Sequence, residues 1–193
     1  MTRRSYLTIV SGIPRSGTSM MMRMLDEGGI TVLTDNLRAP DEDNPKGYYE
    51  FGPVKRTKKD ASWVKGARGK AVKMVHLLLL DLPSEYQYRV IFMHRDLREI
   101  VESQNIMLAR LGKKTDDMPA DRLIEIYRSQ IQKVLQYVRE HPGDFQLLEL
   151  DYNKILKDAR PHLEQASEFL DGLDIEKMLA VVDTSLYRTR TVN

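Results

Sequence analysis

A short apolar run, Tyr6-Leu-Thr-Ile-Val10, leads through Ser11 and Gly12 into Ile-Pro-Arg-Ser-Gly17, and from Thr18 onward apolar side chains recur at helical spacing through Met21, Met22, Met24 and Leu25. β-branched residues favour a strand, the glycines and proline a tight loop, and the new period a helix. The start of the chain is therefore predicted as strand over residues 6–10, loop, then helix over residues 18–27. Strands at residues 71–76, 88–94 and 145–150 are likewise followed by helix-like sequence rather than by a hairpin turn. Strands joined by crossovers lie parallel, so the pattern predicts a parallel sheet.

The helices are legible from their stripes. Leu97, Ile100, Val101, Gln104, Leu108 and Leu111 share one face, closed by Gly112. Leu123, Tyr127, Ile131, Val134 and Val138 share another over residues 120–140, stopped by His141-Pro-Gly143. Shorter helices are expected over residues 163–170 and 175–182. Residues 34–53, punctuated by Pro40, Pro45, Gly47 and Pro53, read as an irregular excursion beside the sheet. The expectation is an α/β fold, a three-layer α/β/α sandwich with a central parallel sheet and P-loop NTPase-like architecture. A length of 193 residues with 41% hydrophobic content suits one domain over residues 1–193.

Charge and composition narrow the partners. Thirty Lys and Arg against 28 Asp and Glu leave a net charge of +2, too little for a general nucleic-acid field, so any anion site is local. The absence of Cys removes disulfides, thiolate metal sites and cysteine nucleophiles, and is compatible with a reducing interior; a cytoplasmic location is expected. Arg3 and Arg4 precede an apolar run too short for an export signal. The greasiest stretch, residues 75–82, is broken by His76 and Asp81 and falls short of the roughly 20 apolar residues that cross a bilayer. No membrane association is expected.

The segment Gly12-Ile-Pro-Arg-Ser-Gly-Thr-Ser19 carries the strongest chemical signal. Between a strand and a helix N-terminus, its backbone N–H groups can converge on an anion. Its glycine spacing matches a nucleotide P-loop, but Thr18 stands where that motif needs lysine, which argues against an ordinary ATP or GTP enzyme. The cation sits inside the loop instead, as Arg15, a planar fork that binds two oxygens of one phosphate.

Pro14-Arg-Ser-Gly-Thr-Ser19 resembles the 5′-phosphosulfate loop of sulfotransferases that use 3′-phosphoadenosine 5′-phosphosulfate (PAPS), in a small bacterial-type form. The resemblance implies that Pro14, Arg15, Ser16, Gly17, Thr18 and Ser19 hold the cofactor, with Arg15 at the leaving-group side. It implies that Arg95 and Ser103, eight residues apart after the strand Val90-Ile-Phe-Met-His94, bind its 3′-phosphate. Tyr152, ending Leu148-Glu-Leu-Asp-Tyr152, resembles the family tyrosine near adenine, although a core aromatic would read the same way.

Two residues compete for the base that takes the acceptor proton. His76, after Lys73-Met-Val, resembles the histidine of cytosolic sulfotransferases, with Lys73 one residue further away and Leu78 in place of the family proline. Glu50, in Asn44-Pro-Lys-Gly-Tyr-Tyr-Glu50, resembles the carboxylate of other members. Each has a plain structural alternative, a strand-end histidine or a partner for Lys46. The implied reaction is in-line sulfuryl transfer from PAPS to a hydroxyl or amine of a small-molecule or glycan acceptor, with no divalent metal. Arg188 and Arg190 are the late basic residues that could stand for the family's closing Arg-Lys-Gly element. The basic run from Lys55 to Lys73 reads as a solvated helix face, and Trp63 as core or an acceptor wall. Two other readings remain: a P-loop kinase or hydrolase, needing an acidic metal ligand such as Asp96, and a non-catalytic PAP or PAPS binder.

Overall fold

The computed structural model describes residues 4–35, 41, 47–112 and 118–183. Along the chain come β1 (Leu7–Gly12), α1 (Thr18–Glu27), β2 (Ala71–Val75), β3 (Tyr88–His94), α2 (Leu97–Arg110), α3 (Ala120–Glu140), β4 (Phe145–Asp151), α4 (Tyr152–Lys157), α5 (Arg160–Phe169) and α6 (Ile175–Leu179). The four strands form one sheet in the order β2-β1-β3-β4, and every pairing is parallel. Gly12 pairs with Val75 on one side and Met93 on the other, so the ends of the three inner-edge strands are level. That level edge is where the loops emerge.

Side chains alternate across the strands and divide the core into two halves. Val10, Ile91, Met93 and Leu150 face α1, α5 and α6, joined by Met21, Met22, Met24, Leu163 and Met178. Ile9, Val72, Met74, Val90 and Phe92 face the other way, against Val134, Leu135 and Val138 of α3. The expected α/β/α layering results. Strands buried on both faces have no reason to alternate in hydropathy, which is why they read as continuous apolar runs. Among the described residues, no helix is long and apolar enough to cross a membrane.

Several details depart from the sequence reading. β1 extends to Gly12 because Ser11 and Gly12 still pair with both neighbours. β2 stops at Val75, and His76 opens a 3-10 turn, His76–Asp81. The stripe expected on α2 holds for Ile100 and Val101 only; Leu111 is 52% exposed, while Glu99 and Ser103 are buried. The basic run is no helix face: it is carried by two 3-10 turns, Gly52–Arg56 and Ser62–Gly66, before Lys73 joins β2. Lys55, Arg56, Lys58, Lys59, Lys65 and Arg68 are exposed, as expected. Parts of the 34–53 excursion, including Lys46, lie outside the described residues, as do Arg188 and Arg190.

Phe92 is fully buried on the central strand β3. Phe92→Ala is expected to lower unfolding free energy by about 3–5 kcal/mol, measured by urea denaturation, because the aromatic volume faces packed neighbours that close only partly. A loss below about 1 kcal/mol would show that this half of the core is not close-packed.

Candidate active site

The loop between β1 and α1 begins and ends on glycines that its geometry requires. Gly12 has φ 154°, and a Cβ there would meet Ser16 Oγ and the Met93 carbonyl. Gly17 has φ 90° and caps α1 in the left-handed conformation; a Cβ there would enter the Tyr152 ring. Having no side chain, Gly17 adds no capping group of its own to the first turn of α1. Arg15, between them, also has positive φ at 81°. For an L-residue with a large side chain this conformation costs roughly 1–2 kcal/mol, so neighbouring contacts must hold it.

Those contacts come from α2 and from Arg95 just before it. Arg15 Nε donates to Ser103 Oγ at 2.9 Å, and Arg95 Nη1 donates to the Arg15 carbonyl at 3.0 Å. Gln104 Nε2 donates to the Pro14 carbonyl at 3.0 Å. Arg95 is itself fixed: its Nε meets Glu99 Oε2 at 2.9 Å, and its guanidinium lies 4.8 Å from the centroid of the Tyr152 ring. Asn153 Nδ2 reaches both Glu99 oxygens at 3.1 Å. Burial pushes the Tyr152 phenol above its ordinary value, opposed by the charge of Arg95.

A cavity of about 410 Å³ opens at the C-terminal ends of all four strands. Pro14, Arg15, Gly17, Thr18, Ser19, Glu50, Arg95, Ser103 and Tyr152 line it. Ser16 lies beneath, fully buried, with its Oγ without a hydrogen-bond partner. Six cationic side chains, Arg15, Arg23, Lys55, Lys73, Arg95 and Arg110, face the cavity with two carboxylates, Glu50 and Asp183. Its potential is therefore positive although the whole chain is nearly neutral.

Of the two candidate bases, only Glu50 lines this cavity. Its Oε2 pairs with Lys55 Nζ at 2.7 Å. His76 is 3% exposed and its Nε2 meets Gln130 Oε1 of α3 at 3.0 Å. Its Nδ1 lies near the Gly12 backbone without reaching hydrogen-bond geometry. Burial pushes the imidazole below its ordinary value, against weaker upward pulls from Gln130 and Gly12. His76 thus sits behind the loop, away from the cavity wall. Asp96, the metal-ligand candidate of the kinase reading, caps α2 by accepting the N–H groups of Arg98 and Glu99.

Sequence reasoning undervalued three side chains. Lys73 Nζ donates to Ser19 Oγ at 3.2 Å and to the Tyr48 carbonyl, tying the segment that carries Glu50 to the loop. Its signal was present, since alternation along β2 sets it apart from the exposed run before it. Gln104 was placed on the α2 stripe but without a role, and Glu99 gave no signal, because polar residues on a helix are ordinarily solvated. Trp63 lines no part of the cavity; it packs edge-on against Phe51, which does, at 6.0 Å between centroids.

The same arrangement of strands and helices occurs in the sulfotransferase domain of the Synechococcus PCC 7002 olefin synthase, at TM-score 0.59 and 18% identity over 100% of this chain and 90% of that one. Mouse sulfotransferase SULT7A1, solved in complex with PAP, superposes at TM-score 0.60 and 16% identity over 98% of this chain and 69% of its own. The chain has the sulfotransferase fold. A sulfotransferase from Alicyclobacillus acidocaldarius shares it at TM-score 0.50 and 13% identity, covering 97% of both chains. No family model and no curated protein sequence matches the chain.

In this version of the sulfotransferase fold, His76 has a measurable signature. Its folded pKa lies below the reference value of 6.5, so the unfolded chain binds the proton more readily. The stability it contributes is present above that value and is lost as pH falls through the folded pKa. Wild-type urea midpoints are expected to fall more steeply between about pH 7 and 5 than those of His76→Gln. Parallel profiles would mean that the imidazole is protonated without penalty.

Proposed function

We propose that the chain is a single-domain sulfotransferase that moves a sulfuryl group from PAPS to a hydroxyl or amine of a small molecule. One observation carries the reading: Arg15, Arg95, Ser103 and the N-terminus of α1 converge on one cavity, with Arg15 and Ser103 in direct contact. The residues fit a doubly phosphorylated adenosine. The glycine at the helix start lets an anion approach the backbone, the buried Ser16 hydroxyl lies unpartnered beneath the loop, and cations outnumber carboxylates around the space. The neighbouring mouse sulfotransferase, solved with PAP, supports the same ligand class.

In this reading Pro14, Arg15, Ser16, Gly17, Thr18 and Ser19 form the 5′ side, Arg95 and Ser103 the 3′ side, and Tyr152 the wall beside the base. When bound, PAPS supplies the sulfuryl group, whose bond to the 5′-phosphate oxygen breaks as the acceptor oxygen or nitrogen bonds to sulfur. Glu50, on the cavity wall, takes the acceptor proton; His76, buried behind the loop, does not. Arg15, Lys73 and the α1 N-terminus stabilise charge on the departing phosphate oxygen. Phe51, Val54, Val75, Leu78, Ile106 and Met107 give the remaining wall an apolar character, which favours an acceptor with an apolar body over a glycan.

PAP at about 100 times its Kd is expected to raise Tm by about 5–10 °C, with ADP and ATP plus magnesium far behind. A larger shift with ATP plus magnesium would favour the kinase or hydrolase reading instead. With labelled PAPS and an apolar alcohol or phenol library, Glu50→Gln should lower kcat about 100-fold or more, and His76→Gln less than about tenfold. The reverse order would reinstate His76 as the base, and PAP binding without transfer to any acceptor would leave a binder rather than an enzyme.

A further inference from the structure

Gln104 takes no part in the reading above, yet it holds the phosphate loop by its backbone. Ser16 N–H donates to the Ile13 carbonyl at 3.0 Å, closing a four-residue turn whose central residues are Pro14 and Arg15. Proline at the second position and a positive φ of 81° at the third are the marks of a type II turn. That third position belongs by preference to glycine, and an arginine occupies it. A type I turn suits an arginine better, and the two forms differ mainly by rotation of the middle peptide, here Pro14–Arg15, through about half a revolution.

The oxygen that such a rotation would carry away is the one that Gln104 grips. Gln104 Nε2 donates to the Pro14 carbonyl at 3.0 Å. The orientation of its amide is set in turn by Tyr127 of α3, whose hydroxyl donates to Gln104 Oε1 at 2.6 Å and so leaves the NH2 group facing the loop. We infer that Gln104 is a positioning residue, a latch that keeps the turn in its type II form and so fixes the direction in which Arg15 leaves the loop toward Ser103. Arg95, bonded to the Arg15 carbonyl, secures the next peptide plane. Released from Gln104, the turn relaxes, the Arg15 Cβ swings with φ, and the fork no longer meets Ser103. The latch acts on the PAPS site as read above and rests on that reading for its functional consequence.

The test uses Gln104→Met, which keeps length but removes the donor, and Tyr127→Phe, which removes only the support. Calorimetric titration with PAP is expected to show about tenfold weaker binding for Gln104→Met, the equivalent of one lost hydrogen bond, and about two- to threefold for Tyr127→Phe. Crystals of Gln104→Met should show Arg15 at negative φ, a change that a merely structural tie between α2 and the loop would not produce. Arg15 remaining at positive φ in that variant overturns the latch, whatever happens to affinity, and so does PAP affinity within twofold of wild type. If the wild type binds no PAP, the functional reading fails, and the latch still stands or falls on the Arg15 backbone alone.

Discussion

The Arg95 guanidinium is the joint on which the site is assembled. It stands at the end of β3, is 7% exposed, and reaches Glu99 on α2, the Arg15 carbonyl in the loop and the face of Tyr152 after β4. A cation so far removed from water persists only with its countercharge, and Glu99, 1% exposed and braced by Asn153, supplies it. Breaking such a pair from one side ordinarily costs about 3–5 kcal/mol, since the remaining charge is stranded. Two strand ends, one helix and the anion loop are thereby registered against one another by a single side chain.

From that joint the rest of the chemistry follows. Arg95 and Gln104 each hold one loop carbonyl, Arg15's and Pro14's in turn, and together they keep the loop's shape despite the strained φ of Arg15. Strain kept in place at such a point fixes where the Arg15 side chain goes, here onto Ser103. Lys73 extends the same frame across β2 to the segment bearing Glu50. Arg95 touches the Arg15 backbone, and both side chains line one cavity.

Much of this was legible in the sequence because it follows from local rules. Buried parallel strands are apolar throughout, α3 shows its stripe over its full length, and the loop's glycines and arginine stand out between β1 and α1. The apolar stripe misled on α2, where Leu111 is exposed and Leu108 only half-buried, while Glu99 and Ser103 are the buried residues. Periodicity assigns charge to solvent and has no means of knowing that Glu99 meets Arg95, four positions earlier, at 2.9 Å. His76 was expected at a strand end, but the strand stops one residue sooner and the 3-10 turn carries the ring behind the loop toward Gln130. Which of two candidate bases meets the cavity is a tertiary fact.

The most direct measurement is a crystal structure of the chain with PAP. The account predicts one phosphate at the N-terminus of α1 against the Arg15 fork and the other between Arg95 and Ser103, with the base beside Tyr152. PAP bound elsewhere, or bound in this cavity with neither guanidinium touching a phosphate, would contradict it.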